Sequence, residues 1–261
     1  MRLLINGATG RMGRELITLI GRDPHLILAG AVTRSGHPLV GADAGEQAGL
    51  GVLGVAIQEN LTGIENVDLI IDFSSAAGLL AAVDHARRLK AALLSGTTAL
   101  DEAGQQALRD LGRETQVLWA PNMSLGVQAL KLTVARAAAA LGIDADCEIV
   151  ESHHRGKRDA PSGTALELAN AIAAGRGQNP KDVIVTARRG PRRPGEIGIV
   201  SLRGGDLAGE HQVRLLLDGE TLELTHRAAH RAIFARGALS AARWLLQQSP
   251  GLYRLEHMFG H

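Results

Sequence analysis

Leu3-Leu4-Ile5-Asn6-Gly7-Ala8-Thr9-Gly10-Arg11-Met12-Gly13-Arg14 sets a short aliphatic run against a glycine turn, and Leu16, Leu19 and Ile20 follow at helical spacing. Strand, tight turn and helix in that order leave the helix's first N–H groups free at the turn, where a pyrophosphate can be held. Gly7, Gly10 and Gly13 form a variant of the dinucleotide fingerprint, with Thr9 where its middle glycine usually stands. Further aliphatic runs at Leu26–Val32, Val67–Phe73, Ala91–Ser95 and Val117–Ala120 alternate with helical patterns at Gly78–Lys90 and Asp101–Leu111. Such alternation predicts a parallel sheet with right-handed crossovers. The first half therefore reads as an α/β, Rossmann-like, doubly wound domain.

After Pro121-Asn122 the pattern changes. A long Ala-rich helix is expected from about Val127 to Leu141, a strand at Cys147–Glu151 and a helix from Pro161 to Ala174. β-like runs follow at Val183–Thr186, Ile197–Ser201, Gln212–Leu217 and Thr221–Thr225, with Asp218-Gly219 as a hairpin signal between the last two. A second, α+β domain with a mixed or antiparallel sheet is predicted, and a final amphipathic helix over Ile233–Leu246.

Composition narrows the function classes. The chain has 261 residues, 45% hydrophobic but only 2% aromatic, so its core is aliphatic. Lys+Arg 28 against Asp+Glu 27 gives +1, which removes the usual electrostatic basis for binding nucleic acid. A single Cys147 excludes an internal disulfide and a cysteine-rich metal site. No apolar run approaches the roughly 20 residues of a membrane span, and Met1-Arg2 leads into too short an apolar stretch for a signal peptide. A cytoplasmic protein is the expectation.

Two segments carry chemistry. Where a fold selective for NAD has an acidic residue at the end of the second strand, this chain has Thr33-Arg34. A hydroxyl beside a guanidinium, with Arg11 across the loop, suits a ribose 2′-phosphate and predicts NADPH in preference to NADH. The bland alternative is that Arg34 is a solvated surface arginine. The second segment is Glu151-Ser152-His153-His154-Arg155-Gly156-Lys157-Arg158-Asp159-Ala160-Pro161-Ser162-Gly163-Thr164. A histidine can exchange a proton near neutral pH, Lys157 supplies charge or acid, and Gly163 and Thr164 would open a helix as anion-binding N–H groups. Together they suit a small substrate with more than one carboxylate. The competing readings are a basic surface loop and a metal site, but no second carboxylate or thiolate is spaced to complete the latter. His226 and His230 read as a surface pair at a domain boundary, and Arg188–Arg193 as a mobile exposed loop.

These segments, with Asp72-Phe73-Ser74, Gly96-Thr97-Thr98 and Ala120-Pro121-Asn122-Met123-Ser124-Leu125-Gly126-Val127, resemble the bacterial 4-hydroxy-tetrahydrodipicolinate reductases of the diaminopimelate route to lysine. The E-x-H-H-x-x-K-x-D-A-P-S-G-T run is the most specific part of the likeness. The resemblance implies that Gly7, Ala8, Thr9, Gly10, Arg11 and Met12 hold the cofactor pyrophosphate and that Arg34 meets the adenosine ribose. Gly96, Thr97, Thr98, Ala120, Pro121, Asn122 and Met123 would line the nicotinamide side. It assigns His153 as acid/base, Lys157 as proton donor, and His154, Gly163 and Thr164 as binders of the substrate carboxylates. It further implies hydride transfer to ring C4 of a cyclic dicarboxylate, NADH as an alternative cofactor, no metal, and a homotetramer built through the second domains. Residues 1–122 and 233–261 would then form the cofactor domain, and 123–232 the substrate and oligomerisation domain. The chain departs from the family pattern at Thr33, often acidic there, and at Met123, often Phe. Outside the family, a semialdehyde dehydrogenase would need Cys147 as nucleophile, and a nucleotide sensor would leave His153, His154 and Lys157 idle.

Overall fold

The computed structural model describes residues 1–260; His261, the end of the segment expected to close the cofactor domain, lies outside them. The chain divides into two compact units, Met1–Ser124 with Ala232–His261, and Leu125–Arg231.

The first unit opens with β1 (Arg2–Asn6), α1 (Arg11–Arg22), β2 (Ile27–Val32), the single turn α2 (Ala44–Gln47) and β3 (Ile57–Gln58). It continues through β4 (Leu69–Asp72), α3 (Ala76–Leu89), β5 (Ala92–Ser95), α4 (Glu102–Leu111) and β6 (Gln116–Trp119). The second unit holds α5 (Leu125–Leu141), β7 (Asp146–His153), α6 (Gly163–Gly175), the short α7 (Pro180–Val183), β8 (Ile184–Val185), β9 (Ile197–Arg203), β10 (Gly209–Leu217) and β11 (Glu220–Ala228). The chain then returns to the first unit with α8 (Ala232–Leu245) and β12 (Gly251–Tyr253).

Seven parallel strands run β3-β2-β1-β4-β5-β6-β12 across the first unit. The order reverses at β1, and in doubly wound sheets the crevice at that reversal, off the carboxyl ends of the strands, takes the ligand. Both faces of the sheet are covered, so β1, β4 and β5 read as unbroken aliphatic runs. Leu4, Ile70, Leu93 and Val117 pack with Leu79, Val83, Leu108 and Leu111 of α3 and α4. Sequence periodicity missed β3 and β12, which are two and three residues long. The helical pattern, read from Arg14 to Ile20, also starts three residues inside α1, because the first turn, Arg11–Gly13, belongs to the glycine loop in composition.

The second sheet is mixed, ordered β11-β10-β7-β9-β8. β10 pairs antiparallel with β7 and β11, while β7–β9 and β8–β9 are parallel. Only β10–β11 is a tight hairpin, turning at Asp218-Gly219 with Gly219 at φ +82°. β7 lies in the middle, so the strand that ends in His153 is flanked on both sides. α5 and α6 cover one face through Leu130, Val134, Leu168 and Ile172 on Ile149, Ile199, Val213 and Leu215. The Arg188–Arg193 stretch is not the free loop expected. Arg188 pairs with Glu148 and with Glu196 (2.6 Å), and Arg192 with Glu148 and Asp146 (2.7 Å).

Asp72, fully buried at the carboxyl end of β4, fastens this edge of the first sheet. Asn6 Nδ2 (2.8 Å) and Ser74 Oγ (2.5 Å) donate to Oδ1, and Ser95 Oγ and Thr97 Oγ1 (both 2.7 Å) to Oδ2. Asp72→Ala strands these donors in the interior and opens a cavity. Urea unfolding should show a loss of about 3–5 kcal/mol; a change below about 1 kcal/mol would mean the network is dispensable.

Candidate functional site

In the first unit the glycine loop leads from β1 into α1. Gly7 has φ +83°, and a Cβ there would sit 2.7 Å from the Phe73 carbonyl oxygen. A Cβ on Gly13 would stand 2.4 Å from Gly7 O, so only glycine lets the helix approach the strand this closely. Gly10 is the N-cap of α1 and offers no side-chain cap, and no acidic residue lies in the first turn. The positive end of the helix instead carries Arg11, an arrangement that favours an anion there.

A cleft of about 630 Å³ opens beside this loop, lined by Gly7, Thr9, Gly10, Thr33, Arg34, Ser35, His37, Glu59, Phe73 and His85 among others. Its size, its glycine floor and the uncapped helix end fit a dinucleotide. Ala8 is buried behind the loop, and Arg11 and Met12 lie on the first turn outside the cleft lining. Thr33 does not offer the free hydroxyl expected. It is buried, and its Oγ1 is 2.9 Å from Thr9 Oγ1, tying the loop to the end of β2. Arg34 is exposed in the cleft. Glu59, not singled out by sequence reasoning, brings a carboxylate to the same cleft from the end of β3. It accepts from Ser35 Oγ (2.9 Å) and Gly36 N (3.1 Å), and the Gly36 bond, then the Ser35 bond, lower its pKa.

Gly96–Thr98 and Ala120–Met123 follow β5 and β6 at the same carboxyl edge but do not line that cleft. Thr97 is buried through its bond to Asp72, and Trp119 Nε1 donates to Thr97 O (2.9 Å). A Cβ on Gly96 would meet the Phe73 ring at 2.2 Å. Met123 is buried, Asn122 Oδ1 accepts from Ser124 N (2.9 Å), and Thr98 and Pro121 are exposed.

In the second unit His153 and the cap of α6 meet at Glu151, which is fully buried, whereas Lys157 and His154 do not contact it. His153 Nδ1 lies 2.5 Å from Glu151 Oε2, and Ser162 N, at the cap of α6, donates to Oε1 (3.1 Å). Ser162 Oγ caps the helix at Ala165 N (3.2 Å), leaving Gly163 and Thr164 to open its first turn. His154 is half-buried, its N–H held by Leu207 O (2.9 Å), and Lys157 N donates to His154 O (3.1 Å). Lys157 Nζ pairs with the exposed Asp159 (2.8 Å), a contact of the weak, solvent-screened kind that a ligand can displace.

Burial opposes the charge on Glu151. Hydrogen bonds from Arg203, Ser201, His153 and Ser162 outweigh it and hold the carboxyl at about 2. Burial lowers His153; Glu151 pulls it back up, and Lys157 and Arg203 oppose that. His211 on β10 stands edge-on to His153 at 5.2 Å and shares Ser162 Oγ through Nε2 (3.1 Å). Arg203 was missed by sequence reasoning, and Gly209-Glu210-His211, which agrees with the family pattern, was read without a role for His211, because both side chains arrive from neighbouring strands through register. Glu151 was quoted without a role, although its two-residue spacing from His153 on a strand is a usable signal.

Cys147 is buried on β7, and burial pushes its thiol up to about 11, far from the thiolate a covalent nucleophile needs. His226 lies on β11 opposite His211, while His230 is exposed beyond the strand, so they do not share a helix face. Among the described residues no group of three or more His, Cys, Asp or Glu is placed to hold a metal ion, and no helix is long and apolar enough to cross a membrane.

Two family models match the chain, "Dihydrodipicolinate reductase, N-terminus" over residues 1–123 and "Dihydrodipicolinate reductase, C-terminus" over 126–259. A 4-hydroxy-tetrahydrodipicolinate reductase of Psychrobacter arcticus is 43% identical over 258 residues, covering 97% of this chain and 93% of that protein. Among solved structures, dipicolinate-bound dihydrodipicolinate reductase from Paenisporosarcina sp. TG-14 superposes with a TM-score of 0.78 at 21% identity, over 99% of each chain. A myo-inositol dehydrogenase from Corynebacterium glutamicum shares the fold at TM-score 0.58 and 15% identity, over 96% and 90% of the two chains.

The buried histidines make stability depend on pH. Burial, then the neighbouring His153, holds His211 at about 4 against 6.5. Below 6.5 the unfolded chain takes up a proton here that the folded chain refuses until about 4. This contribution is therefore complete above about 6.5 and lost as pH falls towards 4, a loss of the order of 3 kcal/mol. Denaturant titrations from pH 7 to 4.5 should show the decline, and His211→Gln should flatten it. An unchanged slope in the variant would rule His211 out as the source.

Proposed function

The chain belongs to the dihydrodipicolinate reductase family, and on that premise we propose that it reduces 4-hydroxy-tetrahydrodipicolinate to tetrahydrodipicolinate with NAD(P)H, in the cytoplasm, as a step of diaminopimelate and lysine biosynthesis. The observation that carries this reading is the convergence of His153, the start of α6 and a buried carboxylate in one unit, alongside a glycine-floored cleft in the other.

The nicotinamide, when bound, supplies the hydride that adds at ring C4. Gly7–Met12 bind the pyrophosphate at the uncapped start of α1. Arg34 meets the 2′-phosphate of NADPH and sets a preference for it over NADH; Glu59, already engaged by Ser35 and Gly36, limits that preference. Gly96–Thr98 and Ala120–Met123 border the nicotinamide. His154, Gly163 and Thr164 bind the substrate carboxylates, and Lys157 leaves Asp159 to join them and to favour developing negative charge. His153 transfers the proton that completes the reduction. Donor and acceptor carbons must meet at about 3–3.5 Å for the hydride to transfer. The protein acts as a homotetramer. Val200 and Leu202, alternate residues of β9 that are 48% and 51% exposed, support assembly through the outer face of the second sheet.

The decisive assay follows NADPH and NADH oxidation at 340 nm, with substrate generated in the cuvette from pyruvate and aspartate semialdehyde by the preceding synthase. Synthase-dependent oxidation is expected. His153→Ala and Lys157→Ala should each lower kcat about a hundredfold or more while NADPH still binds. Arg34→Ala should cut kcat/KM for NADPH about tenfold more than for NADH. NADPH binding without turnover would favour a nucleotide sensor, and a wild-type preference for NADH would overturn the role given to Arg34. In sedimentation, wild type should run as a tetramer and Leu202→Asp as a smaller species. A monomeric wild type, or an intact Leu202→Asp tetramer, would overturn the assembly.

A further inference from the structure

We infer that Glu151, gripped by Arg203, is the positioning residue that fixes the tautomer of His153, making Nε2 the atom that exchanges the proton with substrate. The inference rests on the proposed reduction only for the identity of that substrate.

Residues 151 and 153 are two apart on β7, so their side chains leave the same face of the strand. Both are buried, and Glu151 Oε2 stands 2.5 Å from His153 Nδ1. The Arg203 guanidinium closes on the carboxylate with both arms, Nη1 to Oε2 at 2.8 Å and Nη2 to Oε1 at 2.7 Å. Arg203 gets there by register: it is the parallel partner of His153 across β7–β9. Ser162 N fills a further acceptor position on Oε1. A carboxylate held ionised in this way can only accept. The bond it shares with His153 therefore requires a proton on Nδ1, which leaves Nε2 with the lone pair in the neutral ring.

The far side of the ring is kept clear. A Cβ on Gly209 of β10 would lie 3.0 Å from Nε2, so any larger residue there would crowd this nitrogen. Nε2 makes no hydrogen bond to the described residues, whereas His211 braces the ring edge-on from β10. Proton traffic is then simple. Nε2 takes a proton from solvent to give an imidazolium and delivers it to the reduced ring, while the Nδ1 proton stays on the imidazole, donated to the Glu151 carboxylate. The charged groups facing His153 are Glu151, which favours the imidazolium, and Lys157 and Arg203, which oppose it; His211 stands beside it.

Glu151→Gln keeps the shape but lets the side chain donate, which frees the tautomer and leaves Arg203 uncompensated. We expect kcat to fall about a hundredfold with substrate KM and NADPH affinity nearly unchanged. The limb of the kcat pH profile that belongs to His153 should move to lower pH, and Glu151→Asp should restore part of both. Two readouts need no altered carboxylate. Two-bond ¹⁵N–¹H spectra of wild-type protein should show the His153 ring protonated at Nδ1. Gly209→Ala should lower kcat while leaving that tautomer unchanged. These also cover a Glu151→Gln chain that does not fold. A wild-type ring protonated at Nε2, a Glu151→Gln enzyme with normal kcat and an unmoved pH limb, or full activity in Gly209→Ala would each overturn the inference. If wild type binds NADPH yet does not reduce the substrate, the proposed function fails while the spectra still decide the tautomer.

Discussion

A carboxylate withdrawn from water must have its oxygens answered by donors, because an unpaired buried charge costs several kcal/mol. That requirement shapes the carboxyl edges of both sheets. Asp72 and Glu151 are each without solvent exposure, and each accepts from several chain segments at once. Asp72 draws in Asn6 at the end of β1, Ser74 after β4, Ser95 at the end of β5 and Thr97 in the following loop. Glu151 draws in His153 on its own strand, Arg203 from β9 and the cap of α6. The ends of β4 and β7 are thus each anchored by a carboxylate that has no solvent to fall back on.

Two kinds of information made parts of this structure readable from sequence. Strands buried on both faces must be continuously apolar, so β1, β4 and β5 stand out as runs. A glycine whose Cβ would overlap backbone, as at Gly7 and Gly13, leaves its mark as spacing. The His153–Thr164 segment stood out because it crowds imidazole, ammonium and a helix start, and the structure brings His153 and the cap of α6 to Glu151. What escaped was contributed by register or by distant sequence. Arg203 faces Glu151 because β9 runs parallel to β7. Glu59 reaches the cleft because β3 extends the sheet beyond β2. β12 pairs with β6 over three residues, too few to show a period. Thr33 lay at the expected place, but its hydroxyl is used internally by Thr9, a contact that no local pattern encodes.

The near-zero net charge conceals strong local pairing. On the second unit Arg188 and Arg192 are taken up by Glu148, Glu196 and Asp146, so a run of arginines that reads as basic in sequence is close to neutral in space. In the cofactor cleft Arg34 and Glu59 bring opposite charges to one place. The guanidinium is exposed, and the carboxylate accepts from Ser35 and Gly36, so on the proposed function cofactor choice falls to both groups together.

The two helix starts are capped in opposite ways. At α1 the cap is Gly10, which has no side chain to take up the first-turn N–H groups. At α6 the cap is Ser162, whose hydroxyl satisfies Ala165 N and whose own N–H goes to Glu151. That second arrangement ties the first turn of α6 to the same carboxylate that holds the His153 ring. On the proposed function, a substrate carboxylate at Gly163 would thereby stand in a fixed relation to the His153 imidazole, with Glu151 as the common reference. Positioning of this kind requires no motion of either group at the moment of reaction, and it is what a buried charge contributes that a hydrophobic residue of the same size could not.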